Sequence, residues 1–178
     1  MLRQNFIKSR NLEYFTVAEL SMMMGAEPQR WPIMLIKECI DNSLDASEKF
    51  GPVVLDLTIT TNDFTITDDG PGIPTEVIKN SLDYSVRVSS NDAYVSPTRG
   101  QLGNALKLLW AAAYVHSGHA LVEVTSQNQH HTITIEKDIL SGEPIINLTT
   151  NPNTTTGTTI KVVWDNMPMG ISRVTDLT

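Results

Sequence analysis

The sequence predicts an α+β fold, with a mixed, mostly antiparallel sheet and helices on one face. Three observations carry this. Two helical segments and one hairpin come first and a run of four strand patterns comes last, without the regular βαβ alternation of a parallel sheet. The chain has 178 residues, 40% of them hydrophobic, which suits one core and hence a single domain over residues 1–178. Its densest apolar run, Ala105 to Val115, is interrupted by Lys107 and is too short to cross a bilayer.

The elements follow in order. Residues 1–11 read as peripheral. Thr16 with Glu19 three positions on has the form of a capping box and Gly25 follows as a stop, predicting a helix over Val17 to Met24. Met22, Met23 and Met24 read as core or contact surface. Pro32 in a first turn and Gly51 at the far end bound a longer helix from Pro32 to Phe50. Two-residue alternation with β-branched content marks Val53 to Thr60 and Phe64 to Thr67 as a hairpin turning at Thr61-Asn62-Asp63. Thr75 is placed to cap a short helix to Leu82, and Ser85 to Gly100 lacks periodicity and reads as a mobile loop. The apolar helix Ala105 to Val115 precedes four strands, Ala120 to Ser126, His131 to Lys137, Pro144 to Thr149 and Thr158 to Trp164. The Thr/Asn-rich stretch from Thr149 to Thr159 reads as the last hairpin connection, and residues 165–178 as peripheral.

Charge and composition exclude several functions. A formal charge of −7 disfavours a phosphate-coating surface, so little or no DNA binding is expected from this chain alone. Cys39 is the only cysteine, which removes intrachain disulfides and cysteine metal clusters and fits a reducing cytoplasm. The N-terminus has no apolar signal core, so a soluble, cytoplasmic protein without membrane contact is expected. His116, His119, His130 and His131 lack the order of a zinc site and read as surface residues.

Three motifs carry chemistry. On the long helix, Glu38, Asn42 and Asp45 stand at i, i+4 and i+7 and share one face, with Ile33, Ile36, Ile40 and Leu44 on roughly the opposite side, where a sheet could bury them. Alone, such a stripe reads as a solvated face; its short amide and acid groups also suit metal binding and water activation. Asp68-Asp69-Gly70-Pro71-Gly72-Ile73-Pro74 follows a strand. It reads as a tight turn, or as a carboxylate at a strand end beside glycines that let a flat ring approach, where it would accept a hydrogen bond from an exocyclic amine. Arg99-Gly100-Gln101-Leu102-Gly103-Asn104-Ala105 opens a helix with glycines, a ready anion site, and the surrounding Arg87, Arg99 and Lys107 outnumber Asp92. No Walker A pattern occurs.

The order of these motifs, ending in Gly157-Thr158 at a strand start, resembles the GHKL ATPase family of gyrase B, Hsp90, histidine kinases and MutL, over about Leu12 to Trp164. The wording of Lys37 to Ala46, Asp69 to Pro74 and Arg99-Gly100-Gln101 looks most like the B subunits of topoisomerase VI, with MutL the nearest rival. The resemblance implies the two-layer α/β sandwich of the Bergerat type and a Mg²⁺-dependent ATP hydrolase. Glu38 would be the general base and Asn42 the Mg²⁺ ligand, with Asp45 orienting Asn42 or a water. Asp68 would hold the adenine amine and Thr158 would share a water with it. Gly70, Gly72 and Ile73 would line the adenine side, and Arg99, Gly100, Gln101, Leu102, Gly103, Asn104 and Lys107 the phosphates.

The resemblance also implies pairing of two copies on ATP binding and a DNA-cleaving partner subunit. Two departures are visible: Ala105 replaces a glycine of the phosphate motif, and the domain whose lysine reaches the γ-phosphate is not within these 178 residues, so either the chain is a fragment or a partner supplies that charge. The competing reading is a nucleotide sensor that binds ATP without turnover.

Overall fold

A computed structural model describes residues 7–9, 14–87 and 102–168. Among these residues four α-helices, α1 (Val17–Met24), α2 (Trp31–Phe50), α3 (Thr75–Ser81) and α4 (Leu102–Ser117), accompany eight strands, β1 (Ile7–Ser9), β2 (Leu55–Ile59), β3 (Asp63–Asp68), β4 (Ser85–Arg87), β5 (Ala120–Ser126), β6 (Gln129–Lys137), β7 (Pro144–Pro152) and β8 (Thr158–Val163). Six strands form one sheet in the order β2-β3-β8-β5-β6-β7. All five pairings are antiparallel, the limit of the mostly antiparallel sheet expected.

Register puts the strands' apolar alternates on one face. Phe64, Ile66, Ile160, Val162, Val122, Val124, Ile133 and Ile135 are all buried there, and α2 and α4 pack against that layer. In α4 Trp110 and the run Ala111-Ala112-Ala113 are all buried; small residues let a helix axis come close to a neighbouring layer. Burying each large aliphatic contributes on the order of 1.5–3 kcal/mol. The opposite face is threonine-rich, with Thr58, Thr65, Thr67, Thr159, Thr125 and Thr132 on it.

The elements form largely for the local reasons the sequence offers, with five corrections. In α1, Thr16 Oγ1 accepts from the Glu19 N–H at 3.3 Å and Gly25 closes the helix at φ 62°. Met22 and Met23 are exposed and Met24 packs against the core. Helix α2 begins one residue before Pro32, growing out of a 3-10 turn over Pro28–Arg30, and Trp31 Nε1 donates to Ala26 O at 3.1 Å.

The first correction concerns the buried side of α2. It is Trp31, Pro32, Leu35, Ile36, Cys39 and Ser43, whereas Ile33 (44% exposed) and Leu44 (55% exposed) face outward. The helix is rotated so that the small residues Cys39 and Ser43 are buried, with Ser43 reaching Asp68 at the end of β3.

Second, Thr75 is the first residue of α3 and Pro74 its cap, with no side-chain capping bond. Third, the start of the stretch expected to be a mobile loop forms β4, paired antiparallel with β1; the remainder of that stretch, from 88 to 100, lies outside the described residues. Fourth, His131 is fully buried, not on the surface: Nδ1 is 3.0 Å from Thr150 Oγ1 and Nε2 is 3.5 Å from Thr75 Oγ1. Fifth, strand β7 runs on to Pro152, through the first part of the stretch expected to be a connection.

Candidate nucleotide site

The chemistry-bearing residues meet at one end of the three central strands. Asp68, the last residue of β3, is the register partner of Thr158, the first residue of β8, and Thr158 is in turn opposite Ser126, the last of β5. A row of three polar side chains thus ends the apolar face of the sheet, and α2 runs over it. The cleft between them takes in about 540 Å³, counting space open to solvent. Asn42, Asp68, Gly72, Ile73 and Thr158 line it, with Ile66, Leu106 and Ile160 as apolar walls.

Each wall is fixed by identifiable contacts. Ser43 Oγ donates to Asp68 Oδ2 at 2.9 Å, and the Gly70 N–H donates to Oδ1 at 2.9 Å, so both carboxylate oxygens are oriented from behind. Each oxygen retains acceptor capacity for a further donor. Asp69 does something else: its Oδ1 accepts from the Val54 N–H at 2.7 Å and pins the loop to the chain entering β2. Ser126 Oγ, fully buried, accepts from the Ile73 N–H at 2.7 Å and lies 3.3 Å from Gly157 O as donor. Two loops are therefore tied to the end of β5 by one hydroxyl.

Two glycines are required here by space. A Cβ on Gly72, at φ 84°, would stand 2.7 Å from Ser126 Oγ. One on Gly157, at φ 79°, would stand 2.0 Å from the Asp68 carbonyl oxygen, which no adjustment of a side chain could relieve.

Cys39 also lines the cleft. Burial, reinforced by the negative charges of Glu38 and Asp68, pushes its thiol up to about 12, so at neutral pH it is an uncharged wall and not a nucleophile.

The remaining sequence-predicted residues are placed as follows. Glu38, half-buried, lies one turn before Asn42 on α2, and Asp45, exposed, lies one turn after Asn42's level; neither lines the cleft. Gly70 forms its shoulder through the bond to Asp68. Leu102, Gly103 and Asn104 make the first turn of α4. Arg99, Gly100 and Gln101 lie outside the described residues. The Lys107 ammonium donates to the Asp83 carbonyl and stands 5.6 Å from the centre of the Tyr84 ring, on the α3–β4 side of α4.

Ser43 and Ser126 were missed by the motif reading. Ser43 was legible as the neighbour of Asn42 on the helix; Ser126 had no signal beyond ending an alternating strand. Among the described residues no three His, Cys, Asp or Glu side chains converge as a metal cage, and none of the helices is long and apolar enough to cross a membrane.

An antiparallel sheet covered on one face by helices, with a cleft at its end between a helix amide and a strand-end carboxylate, defines the GHKL type of ATPase fold. The chain belongs to that family: residues 33–163 match the histidine kinase-, DNA gyrase B- and HSP90-like ATPases. Among solved structures it is similar to the topoisomerase IV ATP-binding domain of Francisella tularensis in complex with a small-molecule inhibitor. The identity is 22%, with 76% of this chain and 64% of that chain covered and a TM-score of 0.44. It is also similar to the N-terminal domain of a DNA repair protein, at 22% identity, 78% and 37% coverage and a TM-score of 0.40. The chain thus spans less than two thirds of the length of either. The comparison with curated proteins finds no match.

Proposed function

We propose that this chain is a Mg²⁺-dependent ATP-binding and hydrolysing module resembling the ATPase domain of topoisomerase VI B subunits, in which nucleotide-driven pairing of two copies is coupled to engagement of DNA or of a DNA-cleaving partner subunit. The observation that supports it best is the doubly held Asp68 carboxylate in the wall of the cleft, with both oxygens oriented and still able to accept. That is the chemistry that rewards an exocyclic amine on a flat ring and disfavours a carbonyl in the same place. Ile73, Ile66 and Ile160 offer the ring apolar surface, and Thr158 stands beside Asp68 for a shared water.

The donor set also suits Mg²⁺. This ion takes oxygen ligands, keeps several waters and is commonly held by one or two protein oxygens together with substrate phosphates. The Asn42 amide oxygen would be the protein's ligand, with Asp45 one turn away to orient it or a water, and the ion would neutralise charge on the triphosphate. Phosphates would meet Gly100, Gly103 and the amides of Arg99 to Asn104, with Lys107 close to the same helix end; Gly70 and Gly72 leave room on the adenine side. Glu38 would take the proton of the attacking water.

Glu38→Gln tests the reading, because it keeps shape and hydrogen bonding but cannot accept a proton. Turnover is expected to fall about a hundredfold or more while ATP affinity measured by calorimetry is unchanged. A chain that hydrolyses ATP equally well with the glutamine removes Glu38 as base; one that binds ATP but shows no turnover under any condition is a sensor.

A further inference from the structure

Strand β7 ends the sheet, and its properties are unlike those of the other edge. It pairs with β6 over its whole length, Gln129↔Pro152 to Lys137↔Pro144, and its second side faces no strand among the described residues. At nine residues it is long, and Pro144-Ile145-Ile146-Asn147-Leu148-Thr149-Thr150-Asn151-Pro152 contains no charge. The opposite edge, β2, has five residues and carries Asp56. Natural edge strands are blunted by shortness, charge, bulges or proline because unpaired backbone groups recruit another strand. Here proline stands only at the two ends, leaving seven residues between them open to pairing.

We propose that β7 is a self-pairing edge through which two copies of this chain join antiparallel about a two-fold axis at Leu148, making one twelve-stranded sheet. Three features of the strand select a second copy over an unrelated peptide. The prolines are symmetric about Leu148, so a two-fold pairing fits proline against proline and uses the whole window. The contact is isologous, as closed dimers require. And the strand is neutral in a chain of charge −7, so it is the place where two copies meet without like charges in contact. In that register Ile146 faces Thr150 of the other copy on the helix-covered side, and Asn147 faces Thr149 on the open side. The hairpin tip beyond Pro144 presents Ile139 and Leu140, each 96% exposed, at the same end of the edge where the second copy's Pro152 corner would stand.

The pairing requires no nucleotide, so it is tested in ATP-free protein and stands or falls separately from the ATPase reading. Sedimentation equilibrium over a micromolar range is expected to show a dimer for the wild-type chain. Asn147→Lys with Thr149→Lys brings like charges opposite each other twice across the axis and is expected to weaken the dimer about tenfold or more. Asn147→Lys with Thr149→Glu brings opposite charges together in the same register and is expected to restore it. Both positions are exposed, so circular dichroism should report an unchanged fold. A wild-type chain that remains monomeric throughout, or two double variants weakened equally, overturns the proposal.

Discussion

Replacing Gly157 by alanine probes the tightest position found at any glycine among the described residues, and its cost can be worked from two separable contributions. An L residue at φ 79° carries the left-handed penalty, about 1–2 kcal/mol. The added Cβ would sit 2.0 Å from the Asp68 carbonyl oxygen and 3.0 Å from both the Asp68 carbonyl carbon and the Asp69 Cα, so the start of β8 must back away from the end of β3 by about 1 Å; overpacking of this kind costs about 1–3 kcal/mol more. The sum, about 2–5 kcal/mol, corresponds to a fall in Tm of roughly 4–20 °C for a chain of this size. Gly25→Ala is the matched control. It has φ 62° and nothing within 4 Å of its Cβ, so it pays only the left-handed penalty.

Thermal denaturation of the two variants followed by circular dichroism, with titration of a fluorescent ATP analogue, makes the comparison. Gly157→Ala should lose clearly more stability, and should weaken nucleotide binding because Thr158 moves with it, while Gly25→Ala leaves binding unchanged. Equal losses in the two variants would mean that β8 does not meet β3 as closely as described.

Three further outcomes are expected. Asp68→Asn should lower ATP affinity about tenfold and narrow the preference for ATP over GTP, since an amide can donate to a guanine carbonyl; calorimetry showing an unchanged ratio would remove the adenine assignment. Asn42→Ala should weaken binding of Mg²⁺-ATP more than of metal-free ATP, and equal losses would make Asn42 a packing residue. Burial, with His130 and Lys79 adding like charge, holds the His131 imidazole below its ordinary value of 6.5. The unfolded chain therefore binds the proton first as pH falls: stability is full above about 6.5 and declines below it, and the urea midpoint should drop between pH 7.5 and 5.5 less steeply in His131→Gln than in wild type.

How much of this was legible in the sequence varies element by element. Helix α1 and strand β5 fall at their expected residues because their signals are local: a capping threonine and glycine stop in one, strict alternation in the other. The rotation of α2 was not legible. Of its most apolar stripe, Ile33, Ile36, Ile40 and Leu44, Ile36 is buried and Ile40 packs against the core, whereas Ile33 and Leu44 face outward, since a helix over a strand-end site needs small and polar groups in the contact, and Ser43 must reach Asp68. His131 was misplaced for a related reason. In an alternating strand its position faces inward, and a histidine is admitted there only because Thr75 and Thr150, distant in sequence, supply partners for both ring nitrogens. Of the site, Asp68, Gly72 and Thr158 were legible through glycine-rich spacing, whereas Ser126 depends on a pairing register that no local pattern encodes.

The Ser126 hydroxyl, bound at once to the Ile73 amide and the Gly157 carbonyl, has a thermodynamic implication for any ring that enters the cleft. Because the two loops beside Asp68 and Ile73 share one buried anchor, neither can relax without the other, and the surface a ligand meets there is ordered before it arrives. Association at that end then carries little loss of chain entropy, so ligands should differ in how long they stay more than in how fast they come. An inhibitor built to fill this end would gain from rigidity and shape, and little from conformational adaptability.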